Sequence, residues 1–212
     1  MWLLSRDEAK KLDQSALASG ITEESLIQKA GSRSAALIAK LLPAMARVLV
    51  LCGPGNNGAD GVVVASELSR LGFSVEMLAF KDLASILNDE KSYDAYVDAL
   101  FGIGLNRYFE TSLVLSLAKI NSRSGLKISL DTPSGLDVQT GNSWGAIFNA
   151  DHTLTIERPK PGFYLNLGPE HCGKIHLLPK IFESSLVQSQ AHSIFLLSRK
   201  LVQRWIPVRQ AT

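Results

Sequence analysis

The chain has 212 residues, 46% apolar and 20% charged, which suits one large globular domain whose core needs no staples. A net charge of +2 is too small to argue for nucleic acid or an anionic membrane as partner, and two cysteines, Cys52 and Cys172, make neither a disulfide framework nor a metal cluster. Only three apolar residues follow Met1 before the charges begin, and no stretch is long and apolar enough to span a bilayer, so a cytoplasmic protein without a secretory signal is expected.

Residues 5–18 predict a helix, with Ser5 as cap and Glu8 three positions on, the pattern of a capping box. Thr22 and Ser25 begin a second helical stretch that runs to about Leu42, where Pro43 stops it; Leu26, Ile27, Ala30, Leu37, Ile38 and Leu41 give it an apolar face. Residues 48–52 form a short apolar run, and Cys52 at its end reads as a buried reduced thiol. Gly53-Pro-Gly-Asn-Asn-Gly-Ala-Asp-Gly61 follows, and residues 62–71 are apolar at helical period, so the order is strand, glycine loop, helix. Residues 74–80 are the next strand, and 96–101 a third that runs into Asp98-Ala-Leu-Phe-Gly-Ile-Gly104. After a helix at 113–120, a fourth strand at 127–130 ends in Asp131-Thr-Pro-Ser-Gly-Leu-Asp137, and 152–156 and 174–178 are later strands. Strands alternating with helices imply an α/β fold with a parallel sheet covered on both faces. The domain is expected over residues 1–183, with 184–212 as a tail or linker.

Asn56, Asn57, Asp60, Asp98, Asp131, Ser134 and Asp137 all fall at or just after strand ends, which in an open parallel sheet converge on one crevice. Gly53-x-Gly55-x-x-Gly58 matches the dinucleotide fingerprint, yet Asn56, Asn57 and Asp60 put polar groups where a pyrophosphate usually sits close. The alternative is a plain tight turn. Asn57, Asp98 and Ser134 together could supply oxygen ligands to a hard cation, although an Asp at a strand end is as readily a turn cap. Asp131, held at a strand end before Pro133 and Gly135, suits a general acid or base, with a turn-capping Asp as the rival reading. Asp137 reads as a turn residue. Lys160 in Lys160-Pro-Gly162 reads as a solvated turn lysine, and His152, His171 and His176 as surface or structural residues. No Ser-His-Asp order or Gly-x-Ser-x-Gly elbow points to a hydrolase.

The glycine segment 53–61, Asp98-Ala-Leu-Phe-Gly-x-Gly-Leu105, Leu130-Asp-x-Pro-Ser-Gly-Leu-Asp137 with Thr140-Gly141, Ala150-Asp-x-Thr-Leu-Thr155 and Lys160-Pro-Gly162 occur in this order and spacing. The set strongly resembles the NAD(P)H-hydrate epimerase family from Ser5 to about Pro179. The resemblance implies a three-layer α/β/α Rossmann-like fold with a mostly parallel sheet, often as a homodimer. It implies NADHX or NADPHX, the hydrated reduced cofactors, as substrate, and a bound potassium ion. By motif match Asn56, Asn57, Gly58, Ala59 and Asp60, the loop Gly102, Ile103, Gly104, Leu105, Asn106, Arg107 and Tyr108, and Asp131 would contact substrate; Asn57, Asp98 and Ser134 would bind potassium. Asp131 is the candidate catalytic group.

Four departures from the family pattern bear on activity: Ala59 in place of a second glycine, Gln28 and Lys29 in the second helix, a short segment between Phe80 and Asp98, and an altered ending after the Lys174 strand. Two other readings stay open, a nucleotide-dependent oxidoreductase and a silent scaffold domain. The apolar stretch of Ile194, Phe195, Leu196, Leu197, Leu201, Val202, Trp205 and Ile206 resembles the segment leading into an NAD(P)H-hydrate dehydratase in fused members of the family, so such a domain is expected to follow.

Overall fold

The computed structural model describes residues 1–189, 192–197 and 199–205. Helix α1 (Arg6–Ala18) carries both halves of its capping box: Glu8 N–H donates to Ser5 Oγ, and Ser5 N–H donates to the Glu8 carboxylate. The other Glu8 oxygen accepts from Ser193 N–H and Oγ–H, which ties residues 192–197 over the start of α1, where Trp2 and Phe195 form an antiparallel bridge. Helix α2 (Glu23–Leu41) starts on its Thr22 cap and stops at an extended Leu42, as the residue before Pro43 must. Ser198 and residues 206–212 of the expected apolar ending lie outside the described residues.

The rest of the chain alternates: β1 (Arg47–Cys52), α3 (Asn56–Arg70), β2 (Ser74–Ala79), a 3-10 helix (Phe80–Leu87), β3 (Ala95–Ala99), α4 (Thr111–Asn121), β4 (Leu126–Leu130), β5 (His152–Ile156), the short α5 (Gly168–His171), β6 (Lys174–Leu178), then α6 (Ser184–Ser189) and α7 (Arg199–Trp205). All six strands are parallel, in the order β2-β1-β3-β4-β5-β6. Side chains of β1 alternate between the two faces. Val48, Val50 and Cys52 pack under Ile38 of α2 and Val64 and Leu68 of α3; Leu49 and Leu51 pack against the 3-10 helix, through Leu83 and Ile86, and α4, through Leu117 and Ile120. This is the three-layer α/β/α arrangement, and Cys52 and Cys172 are buried free thiols within it. The short segment after β2 thus holds a 3-10 turn that closes the second face. Among the described residues no helix is long and apolar enough to cross a membrane.

One expectation is corrected. The glycine segment after β1 is not a loop running to Asp60, because α3 already begins at Asn56. The glycines make the early start possible. A Cβ on Gly53 would lie 1.7 Å from Leu100 O, and one on Gly58 would lie 1.9 Å from Gly53 O, so strand and helix ends meet closer than any side chain allows. The sheet order places β2 and β3 on opposite sides of β1, so the chain leaves β1 and β3 in opposite directions. A crevice opens there, at the carboxyl ends of the strands.

Candidate active site

A cavity of about 540 Å³ fills this crevice, within the size range of small-molecule sites. Its floor is the carboxyl ends of the strands, and its roof is α1 and the start of α2.

The strand-end wall is tightly bonded. Asp98, at the end of β3, is fully buried, and its carboxylate accepts from Ser134 N–H (2.7 Å), Ser134 Oγ–H (2.6 Å), Ser129 Oγ–H (3.0 Å) and Leu100 N–H (3.1 Å). Burial pushes its pKa up against the pull of those bonds. Ser134 Oγ also accepts from Phe101 N–H (2.9 Å), so one hydroxyl joins the turns after β3 and β4. Asp131, just past β4, has φ of +58°, a left-handed conformation an Asp tolerates better than most residues. Its Oδ1 accepts from Lys160 Nζ (2.5 Å) and Ile156 N–H (3.1 Å). Gly135, at φ +91°, completes that turn; a Cβ there would strike Ala146 O at 1.7 Å.

Lys160 corrects the sequence reading. It is 1% exposed, not solvated, and its ammonium also donates to Thr155 Oγ1 (2.8 Å) and to the carbonyls of Ile156 and Arg158 (both 3.2 Å). The strand end of β5 and the Asp131 carboxylate supply the acceptors that let a charge be buried. Asp137 is a turn residue as expected: it accepts from the backbone of Gln139 and Thr140 and pairs with Arg6 at 2.7 Å. Burial opposes its charge, but these bonds outweigh it and hold its pKa below the usual carboxylate range.

The helix-side wall is different. Asn57, in the first turn of α3, is buried, and neither Oδ1 nor Nδ2 has a hydrogen-bond partner among the described residues. Its side chain lies over Gly102: a Cβ on Gly102 would sit 3.5 Å from Asn57 Cβ and 3.7 Å from Asp131 Oδ2. Asp60 is buried one turn further along α3. Burial raises its pKa to about 8, and the charges of Asp131 and Asp13 add to the effect. Asp13 reaches the cavity from α1. Burial raises it to about 6, with the charges of Asp131 and Glu23 adding and that of Lys160 opposing.

Of the residues named from sequence, Asn56, Asn57, Asp60, Gly102, Ile103, Gly104, Leu105, Asn106, Arg107 and Asp131 line the cavity. Gly58 and Ala59 lie behind it in α3, Tyr108 is exposed and edge-on to Trp144, and Asp98 and Ser134 are buried beneath the floor. His152 and His176 sit 2.8 Å apart on β5 and β6, outside the cavity. Asp13 and the role of Lys160 were not foreseen. Asp13 had a signal: it stands at the fourth-residue position of the stripe Ala9, Leu12, Ala16, where an apolar residue is due.

An open parallel sheet with a polar crevice at its switch point defines a Rossmann-like fold whose cavity is of small-molecule size, with a buried carboxylate–ammonium pair in its wall. The chain belongs to the NAD(P)H-hydrate epimerase family. The family model "YjeF-related protein N-terminus" matches residues 23–93 and 79–162. The NAD(P)H-hydrate epimerase of Rhodopirellula baltica is 30% identical over 179 residues, 72% of this chain and 73% of that protein. The bifunctional NAD(P)H-hydrate repair enzyme Nnr of Thermofilum pendens is 36% identical over 204 residues, covering 82% of this chain and 38% of that protein; that of Escherichia coli is 30% identical over 215 residues, with 91% and 42% covered. The chain thus spans about two fifths of the length of these bifunctional relatives. The crystal structure of the yeast protein ynu0, YNL200c, shares the fold, with a TM-score of 0.74 at 19% identity, over 94% of this chain and 98% of that one.

Proposed function

We propose that the chain is an NAD(P)H-hydrate epimerase, an isomerase that interconverts the R and S forms of NAD(P)HX in nicotinamide cofactor repair. The observation that carries this reading is the Asp131–Lys160 pair at the wall of a cavity, in a chain of this family. Kinship to a protein named as an epimerase favours it over an oxidoreductase or a silent scaffold. The hydrate bears a hydroxyl on a ring carbon next to nitrogen. Inverting that carbon requires loss of the hydroxyl to an iminium-like species and return of water on the other face. Lys160 and Ile156 N–H fix Asp131 through Oδ1, and Oδ2 lies toward Gly102. A carboxylate so held stabilises positive charge on the ring and takes a proton from the entering water. The first turn of α3 and the segment Gly102 to Arg107 hold the rest of the nucleotide, with the helix N-terminus toward its phosphates. The nicotinamide is the substrate, so the reaction needs no separate redox cofactor.

A potassium ion fits the donors beside this pocket. Asn57 offers a buried amide with no partner among the described residues, and Asp98 and Ser134 add oxygens; all are hard ligands, with no soft donor among them. A monovalent cation held by these residues would supply a fixed positive charge beside the pocket. Residues 1–183 form the epimerase unit in this reading. It acts in the cytoplasm as a homodimer, alongside an NAD(P)H-hydrate dehydratase, with residues 184–212 as a tail or linker.

The test is epimer exchange followed by chromatographic separation of the two forms. The wild-type chain accelerates exchange over the spontaneous rate, and Asp131→Asn lowers it by about 10²–10⁴ per folded molecule. Near-wild-type exchange in that variant removes Asp131 from the mechanism, and no acceleration by the wild-type chain overturns the epimerase reading.

A further inference from the structure

Inversion by departure and return of water uses both faces of the ring. On one face a hydroxyl must gain a proton to leave; on the other an entering water must lose one. Asp131 is fixed on the strand-end wall by Lys160 and serves a single face. The opposite wall is built by α1 and the start of α2, and there the cavity is lined by Leu12, Asp13, Glu23 and Leu26.

We propose that Asp13 is the second proton-handling residue of this site, acting on the ring face opposite Asp131. The inference rests on the epimerase reading and goes beyond it. Asp13 occupies the apolar stripe of α1, next to Leu12, which is 1% exposed, where a carboxyl group is costly without a purpose. It makes no hydrogen bond or ion pair among the described residues, so nothing in the fold consumes it. The charged groups that act on it across the cavity are Asp131, Glu23 and Lys160, and Asp60 responds to it in turn. Its pKa, raised to about 6 by burial, is that of a group that gives or takes a proton near neutrality. Glu23 is committed elsewhere, accepting from Asn56 Nδ2 at 2.7 Å.

The step balances. The carboxylic acid of Asp13 gives its proton to the leaving hydroxyl as the carbon–oxygen bond breaks, and water departs. The ring nitrogen's electron pair forms the iminium, whose charge faces the Asp131 carboxylate. A second water adds to the carbon from the Asp131 side and gives its proton to Asp131. One proton has crossed the pocket, and the reverse reaction starts from that state. The active form in both directions is therefore the carboxyl pair holding one proton.

The experiment runs the exchange in ¹⁸O-labelled water with the wild type and with Asp13→Asn, separating the epimers and weighing each by mass spectrometry. The expected result for Asp13→Asn is a loss of interconversion of about 100-fold or more. One epimer meanwhile keeps exchanging its hydroxyl oxygen with solvent, configuration retained, because the Asp131 face still works. A merely structural residue would not separate the two. Interconversion within about threefold of wild type, or equal loss of interconversion and oxygen exchange in a variant with a wild-type melting curve, overturns the proposal. The wild type gives an answer even if the variant does not fold: kcat/KM for the two epimers falls along one shared limb as the pH rises through the region of 6, and a profile flat from about pH 5 to 9 overturns the proposal. A wild-type chain that does not accelerate exchange overturns the epimerase reading and this inference with it.

Discussion

Two buried carboxyl groups, Asp98 and Asp60, show how the two walls of the cavity differ. Asp98, under the strand ends, takes four hydrogen bonds from Ser134, Ser129 and Leu100. Asp60, on α3, takes none among the described residues, and Asn57 beside it has a bare amide. The carboxyl group under the strand ends is therefore bonded by the fold itself, whereas the helix wall keeps polar groups with no partner among the described residues.

The sharpest way to break that contrast is to open the completed wall. Lys160→Met leaves the Asp131 carboxylate buried without its counter-charge and should cost about 3–5 kcal/mol. A urea denaturation midpoint measures it. The double variant with Asp131→Asn should recover part of the loss, because the two residues form one unit. A cost under about 1 kcal/mol for Lys160→Met would show that the pair does not hold the wall.

Ser134→Ala tests the same wall with a smaller lesion. It removes the 2.6 Å donation to Asp98 and the acceptor for Phe101 N–H. Bonds to a charged group of this kind are worth about 1.5–3 kcal/mol, so a loss in that range is expected by the same denaturation. Ser129→Ala, which removes only one 3.0 Å bond, should cost less.

The helix wall answers to pH. The folded-state pKa of Asp60 lies at about 8, above its ordinary value of 3.8. Between those values the native chain holds a proton that the unfolded chain has released, so stability falls as pH rises through that window. Asp60→Asn has no such proton to lose. Its stability relative to wild type should improve by about 1–2 kcal/mol from about pH 6.5 to pH 8, read from melting curves at several pH values. A difference that does not change with pH would mean that Asp60 titrates normally. The same substitution at Asp98 should not mimic it, because Asn cannot accept the four donors.

Legibility in the sequence followed the same division. The strands were readable because each is a short apolar run bounded by turn residues, and α1 because its cap and Glu8 are local. Asp98, Asp131 and Ser134 stood out because strand ends converge. Lys160 could not be read from its neighbours: Pro161 and Gly162 say turn, and only the fold brings Asp131, 29 residues away, to its ammonium. Asp13 interrupts the apolar stripe of α1, but its place in the cavity roof could not be read there, because it depends on how α1 lies across the strand ends. The start of α3 was misplaced because four glycines in a row of nine suggest a loop; the close crossing of Gly53 and Leu100 is a tertiary fact.

The smallest expected effect lies at Ala59, where the family pattern has glycine. A left-handed position would strain alanine, and mutation to glycine would then stabilise the chain. The structure gives the opposite geometry. Ala59 is inside α3, does not have positive φ, and its N–H donates to Gly55 O at 3.1 Å in the first turn of the helix. Alanine is the best helix former, and glycine there adds freedom to the unfolded chain without relieving any contact. Ala59→Gly should therefore lower stability by about 0.5–1 kcal/mol. It tests the helix wall without touching its polar groups, so its cost should be the same at pH 5 and pH 8, unlike that of Asp60→Asn. A rise in melting temperature on mutation to glycine would mean that the first turn of α3 is not helical at residue 59, and the placement of Asn57 and Asp60 on that wall would have to be redrawn with it.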